Sequence, residues 1–336
     1  MAVNRARGTR DFLPEQMHDR LHVIDTLARV YRQHGFEPFD TPASERIETL
    51  LGKAGDESDQ LVFKILKRGD GGKRGEVDLA LRYDLTVPLA RVVAMNPGMR
   101  MPFKRYHMGP VWRADRPARG RFREFWQCDI DICGTTDTVA EAECLAVLSR
   151  AMKAVGFDVV LRLNDRRLLF ALANYLGVAD RESELLVAID KLDKIGRDGV
   201  HEELVQRGVP ADPAEALLGL VVREEEDEAL AGQLREQVGE EGQAAIDQLL
   251  QLKSLLARTP AGGRVKISPA LARGLSYYTG PIFEITVADL AGSLGGGGRY
   301  DELIGMFGKQ TIPAVGCSLG LERILLVMQE REMYPP

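Results

Sequence analysis

Apolar residues at Leu21, Ile24, Leu27, Val30 and Tyr31 recur at helical spacing behind Pro14, and Gly35 ends the run. This predicts an amphipathic helix, followed by a strand at FEPFDTP that stops at Pro42. Leu61 to Leu66 and Val77 to Leu85 alternate as strands around RGDGGKRGE, whose glycines mark the turn of a hairpin. From Phe103 to Gly134 a buried-strand pattern runs through Pro110, Val111 and Trp112, breaks at a polar stretch, and returns at Phe122, Phe125, Trp126 and Ile130. That pattern predicts a second antiparallel hairpin, with a long basic loop. Ala140, Cys144, Val147, Leu148 and Met152 form a helical stripe between Thr138 and Gly156, and Val159 to Leu163 reads as a strand.

From Asp165 to about Thr259 the chain turns to Leu, Ala, Glu and Arg at helical spacing, with almost no strand signal. Its acidic run REEEDE, Arg223 to Glu228, reads as a solvated helix face or loop. Strands resume after Gly262 and Gly263 at Val265 to Ile267, Tyr277 to Thr286 and Val315 to Leu319. Hairpin-joined strands with helices set aside predict an α+β fold, an antiparallel sheet flanked by helices. The expected division is a first core part over 1–164, a helical insertion domain over 165–259 and a second core part over 260–336.

Composition changes this picture little: 45% hydrophobic and 28% charged residues in 336 are ordinary for a chain with room for two domains. No window offers about 18 uncharged apolar residues and the N-terminus has no apolar signal core, so the expectation is a cytoplasmic protein with no membrane partner. Cys128, Cys133, Cys144 and Cys317 lack CxxC spacing and the five His residues are scattered, which predicts reduced thiols and no protein-held metal. A net charge of -6 argues against nucleic-acid binding by the whole surface. Any RNA contact would need local basic faces, such as the hairpin loop or Arg162, Arg166 and Arg167. No GxxxxGK[ST] occurs and GGGGRY opens no strand-helix unit, which excludes P-loop and dinucleotide folds.

The chemistry concentrates in the basic hairpin. Arg113, Arg121 and Arg123 interrupt a strand pattern, and a guanidinium, which keeps its proton and offers five donors, suits phosphate or carboxylate. The alternative is a solvated loop paired with Asp115 and Glu124. Arg323 in GLERIL reads either as a ligand contact or as a helix arginine paired with Glu322 or Asp301. Gly295 to Gly298 reads as a close approach of backbone to ligand or as a turn.

FKRYHMGPVWRADRPARGRFREFWQCDIDICG resembles motif 2 of the class II aminoacyl-tRNA synthetases. LRYDLTVPLAR, ARGLSYYTGPIFE, GGGGRYDELIGMFG and VGCSLGLERIL follow the order of the histidyl-tRNA synthetase family, the last resembling motif 3. The resemblance runs from GTRDFLP nearly to the C-terminus, and the wording of LRYDLTVPLAR and FREFWQCDIDICG is closer to the eukaryotic and archaeal style of the family than to the commonest bacterial one. The first helix and strand resemble motif 1, which implies a homodimer; by itself the stripe reads as intramolecular core.

The resemblance implies that Arg273 and Arg113 are catalytic, at the α-phosphate of ATP. It implies ATP contacts from Arg113, Asp115, Arg121, Phe125 and Arg323, and histidine contacts from Asp84, Leu85, Thr86, Arg113, Gln127, Asp131, Arg273, Tyr277, Tyr278 and Tyr300. Ser276 stands where the family usually has an acidic residue, and Asp115 where it often has Glu. The implied activity is ATP- and Mg2+-dependent activation of L-histidine and transfer to tRNA(His). The family normally continues past motif 3 into an anticodon-binding domain, so weak charging of tRNA is expected of a chain ending at Pro336. Two rivals remain: a noncatalytic histidine-sensing regulatory subunit of ATP phosphoribosyltransferase, and a paralogue activating histidine for a non-tRNA acceptor.

Overall fold

Two strands of ten residues each, Phe103–Trp112 and Glu124–Cys133, form the predicted long hairpin and set the register of everything around it. In the computed structural model, which describes residues 3–53, 59–222, 227–272, 277–288 and 292–334, the strands are β1 (Glu37–Pro38), β2 (Ser44–Arg46), β3 (Lys64–Leu66), β4 (Val77–Leu81), β5 (Phe103–Trp112), β6 (Glu124–Cys133), β7 (Val159–Asp165), β8 (Val265–Ile267), β9 (Pro281–Val287), β10 (Gly295–Arg299) and β11 (Ala314–Gly320). Eight of them join in the order β1-β5-β6-β11-β10-β9-β7-β8, and β2-β4-β3 make a small second sheet. The large sheet is antiparallel except at its two edges, where β1 lies parallel to β5 and β8 parallel to β7. It carries the expected α+β fold.

Alternation along β6 sorts the residues onto two faces. Cys128, Ile130 and Ile132 point into the main core, covered by helix Pro14–Gln33 through Val23, Leu27, Val30 and Tyr31, and by helix Val139–Ala154 through Cys144, Leu145, Val147 and Leu148. The first helix thus buries most of its stripe within its own chain, while Leu21 is half exposed. Gln127, Asp129 and Asp131 point the other way, under helix Thr86–Met95, the small sheet and Tyr277, Tyr278 and Tyr300. All four cysteines are buried and free.

Between β7 and β8 the described chain is helical: Arg166–Tyr175, Glu182–Ile189, Leu192–Gln206, Ala211–Val221, Asp227–Arg235 and Glu240–Leu256. No hydrophobic gap separates these helices from the sheet, because Leu249, Leu252 and Leu256 share one core with Leu161 and Leu163 of β7. Residues 223–226 of the acidic run lie outside the described residues, but Asp227 does not face water: it accepts from Ile267 N at 3.0 Å and pairs with Lys253 at 2.9 Å, holding β8. Arg162, Arg166 and Arg167 are engaged by Asp193 at 3.1 Å, Glu182 at 3.1 Å and Asp165 at 2.6 Å, so they present no unneutralised basic face.

Of the two readings of the glycine run, the turn does not hold. Gly295 to Gly298 form neither a turn nor a loop but lie within β10, paired to β9 on one side and β11 on the other. Space explains it: a Cβ on Gly298 would sit 2.7 Å from the Tyr278 ring, and one on Gly316 opposite it 1.9 Å from Asp131 Oδ1. At the end of this strand Arg299, nearly buried, pairs with buried Glu141 at 2.5 Å and 2.8 Å and with Asp301 at 2.9 Å. Arg299→Leu leaves Glu141 as an uncompensated buried charge and is expected to lower unfolding free energy in urea by about 3–5 kcal/mol. A wild-type midpoint would remove this pair as the anchor of β10.

Candidate active site

Pairing places the polar residues of the sheet in rows. Arg105, Asp131 and Gly316 lie side by side across β5, β6 and β11; the next row is His107, Asp129 and Ser318, and the next Gly109, Gln127 and Gly320. Asp129 and Asp131 are each at least 98% buried, as is Asp84 above them. Asp84 Oδ1 accepts from Val87 N at 3.0 Å, in the first turn of helix Thr86–Met95, where the helix dipole favours a carboxylate. Its Oδ2 accepts from the Tyr277 hydroxyl at 3.3 Å. Tyr300 donates to Asp131 Oδ1. The rings of Tyr277 and Tyr278 lie 4.9 Å apart and those of Tyr277 and Tyr300 6.0 Å apart, forming an aromatic wall between the two carboxylates. Leu85 is buried and offers its carbonyl inward. Gln127 donates to Ser318 Oγ at 2.8 Å, while its Oε1 is buried without a partner among the described residues.

The arginines surround the mouth of this face. Arg113 extends β5, donates to the Tyr83 carbonyl at 2.9 Å and lies 5.2 Å over the Phe125 ring. No carboxylate pairs with it among the described residues. Arg121 does pair with Asp115, at 2.7 Å, which meets the solvated-loop alternative in part; Glu124 instead accepts from Trp112 Nε1 at 3.1 Å. Arg323 follows neither alternative ion pair. Glu322 is taken by Arg20 at 2.9 Å and accepts from Trp126 N at 2.7 Å, Asp301 is taken by Arg299, and Arg323 donates to the Ser293 carbonyl. Burial and then the Arg121 charge depress the Arg323 pKa, so the two cations share one neighbourhood. Arg123 is turned away from the mouth, donating to the Asp115 carbonyl at 3.1 Å, and its side chain packs against Gly8. Arg273 and Ser276 lie outside the described residues.

Residues not anticipated from the sequence complete the floor. Arg105, wholly buried, lies 2.7 Å from Asp131 Oδ2 and 3.9 Å from Asp129 Oδ2. His107 is held neutral, pushed down to about 3 by burial, then by Arg105 and Arg82. The available signal was charge at every second position of a buried strand, in KRYHMG and again in QCDIDICG. Burial raises the carboxyl pKa of Asp84 and Asp131, and pushes Asp129 up to about 7, with Arg105 opposing and Asp131 reinforcing. Two buried guanidinium groups, Arg105 and Arg82, face these three acids without cancelling the cost of burying them.

Asp129 gives a pH test. A carboxyl whose folded pKa lies above its unfolded value stabilises the fold in its protonated form, fully below about pH 4, and loses that contribution as pH rises to about 7. Asp129→Asn stays neutral throughout. Relative to the parent, its unfolding free energy should therefore improve by on the order of 1–3 kcal/mol between about pH 5 and pH 8. Parallel pH slopes for the two proteins would mean that Asp129 does not titrate in this window.

The family profile described as "Histidyl-tRNA synthetase" matches residues 8–324. The histidine--tRNA ligase of Gloeobacter violaceus is 44% identical over 352 residues, covering 97% of this chain and 75% of the relative; that of Cytophaga hutchinsonii is 41% identical over 98% and 77%. Among solved structures, the histidyl-tRNA synthetase of Nostoc sp. superposes with a TM-score of 0.82 at 29% identity, over 100% of this chain and 77% of that one. Five motifs in family order, the mixed sheet that carries them and a match across nearly the whole length lead to one assignment: the chain belongs to the histidyl-tRNA synthetase family, a family of class II aminoacyl-tRNA synthetases.

Proposed function

We propose that this protein is a histidine--tRNA ligase that activates L-histidine with ATP to histidyl-adenylate and transfers the histidyl group to tRNA(His). The observation that carries this reading is the gathering of three buried carboxylates, Asp84, Asp129 and Asp131, each still raised in pKa by burial despite the charges of Arg105, Arg82 and Arg113. A ligand bearing an ammonium at one end and a ring N–H at the other offers donors to such carboxylates. Asp84, Thr86 and Gln127 hold the ammonium, with Leu85 lining that end; Asp131, Tyr278 and Tyr300 receive the imidazole, with Tyr277 between.

The substrate carboxylate then lies toward Arg113. One of its oxygens attacks the α-phosphorus of ATP, the new acyl phosphate bond forms, and the bond to the β-phosphate breaks to release pyrophosphate. Arg113 and Arg273 neutralise charge at the α-phosphate, and Arg121 meets the terminal phosphates. Phe125 and Arg323 take the adenine ring, with Asp115 orienting Arg121. A hydroxyl of the tRNA terminus next attacks the acyl carbon and AMP departs. Mg2+ belongs to the proposal as the companion of ATP and would supply positive charge for its phosphates.

No helix among the described residues is long and apolar enough to cross a membrane, and a cytoplasmic homodimer completes the reading. The division into a core split by a helical insertion belongs to it too, supported by the helices between β7 and β8. The Bacillus halodurans structure titled an ATP phosphoribosyltransferase regulatory subunit/histidyl-tRNA synthetase, with a TM-score of 0.80 at 25% identity, keeps the sensing rival in view. A sensor needs no cations for ATP, whereas Arg113, Arg121 and Arg323 flank one hairpin here.

ATP-pyrophosphate exchange with a panel of amino acids tests the proposal. Exchange is expected with histidine alone, and Arg113→Ala and Arg273→Ala are each expected to lower kcat by about 100- to 1000-fold. No histidine-dependent exchange would favour the sensor, and an unaffected Arg273→Ala would remove that residue from the chemistry.

A further inference from the structure

Arg105 has no part in the chemistry just described, yet its placement is specific. A single nitrogen, Nη2, lies 3.1 Å from the Leu85 carbonyl and 2.7 Å from Asp131 Oδ2. It therefore touches both the backbone next to Asp84 and the carboxylate held by Tyr300. Nε and Nη1 are buried and donate to nothing among the described residues. Unmet donors on a buried guanidinium are costly, and an apolar side chain of similar volume would fill the same space without that cost. Packing alone does not account for an arginine here.

We propose that Arg105 is a positioning residue for amino-acid recognition: it sets the distance between the Asp84 end and the Asp131 end of the pocket and keeps Asp131 ionised toward the ring. The inference rests on the reading that Asp131 binds the imidazole. Asp129 and Asp131 are buried on the same face of one strand, and two such acids without a cation between them share a proton. A protonated Asp131 would lose much of its capacity to accept from the ring. Arginine cannot surrender its proton to relieve the pair, whereas a lysine or histidine could. Burial pushes the Asp131 carboxyl up, and Arg105 is the strongest influence drawing it back down.

The geometry leaves room for this role. Tyr300 occupies Asp131 Oδ1, while Oδ2 meets Arg105 as an ion pair outside hydrogen-bond geometry, so that oxygen still has a lone pair for a ligand N–H. Gly316 lies beneath Asp131 Oδ1, and any Cβ there would drive the carboxylate off this position.

A double-mutant cycle on the full chain tests the idea, with KM for histidine and KM for ATP measured separately by ATP-pyrophosphate exchange. Arg105→Met is expected to raise KM for histidine about 10- to 100-fold while KM for ATP stays within about twofold. Arg105→Lys, which restores charge without the fork, should recover part of that loss. Because Arg105 acts through Asp131, Arg105→Met combined with Asp131→Asn should be no worse than Asp131→Asn alone, within about twofold. Additive losses, an unchanged KM for histidine in Arg105→Met, or equal rises in both KM values would overturn the proposal. Should Arg105→Met not fold, Arg105→Lys carries the same cycle. An unchanged KM for histidine in Asp131→Asn alone would instead defeat the imidazole reading on which the inference stands.

Discussion

Removing carboxylates from water is the cost around which this fold is arranged. Asp84, Asp129 and Asp131 are almost wholly buried, and each carries a carboxyl pKa raised by that burial. Such groups persist only where hydrogen bonds and opposite charge compensate. The compensation comes from several directions: Tyr277 and a helix N-terminus for Asp84, Tyr300 for Asp131, and Arg105 between β6 and the Leu85 carbonyl. Removing any one of these partners leaves charge that the others do not neutralise.

The apolar face of the same strand makes this arrangement affordable. Cys128, Ile130 and Ile132 alternate with Gln127, Asp129 and Asp131, so every polar side chain on one face of β6 has an apolar neighbour on the other. Helices Pro14–Gln33 and Val139–Ala154 cover that apolar face. On the neighbouring strands glycines replace side chains altogether, and Asp131 and Tyr278 fill the space that Cβ atoms at Gly316 and Gly298 would occupy. At Gly316 and Gly298 the floor is thus bare backbone.

Much of this was legible in the chain. The long hairpin, the first helix, the helical middle and the late strands follow from periodicity, and Asp84, Asp131, Tyr277, Tyr278 and Tyr300 meet through hydrogen bonds and ring contacts. Other features depend on contacts that no local pattern encodes. Four consecutive glycines carry no hydrophobic signal, so close backbone approach and a turn both stayed open where β9 and β11 in fact pair on either side of a strand. Arg105 and Asp129 stand at alternate positions of strands whose neighbours no local pattern reveals; the register that brings Asp131, Gly316 and Leu85 beside them gives their burial a meaning. Arg162, Arg166 and Arg167 erred the other way, reading as a basic surface while acids distant in sequence neutralise two of them.

The pairing of β6 with β11 also bears on how the chain folds. Gln127 meets Ser318 across 191 residues, and Trp126 meets Glu322 across 196. Closing so long a loop carries an entropic penalty that local hairpins do not, so β5 and β6 pair early while their acidic face is still hydrated. Only when the last strands dock are those carboxylates dehydrated, at the same step that brings in Tyr300 and seals the floor with glycine. A chain halted before that step has a finished hairpin and half a pocket, with its buried charges still in water.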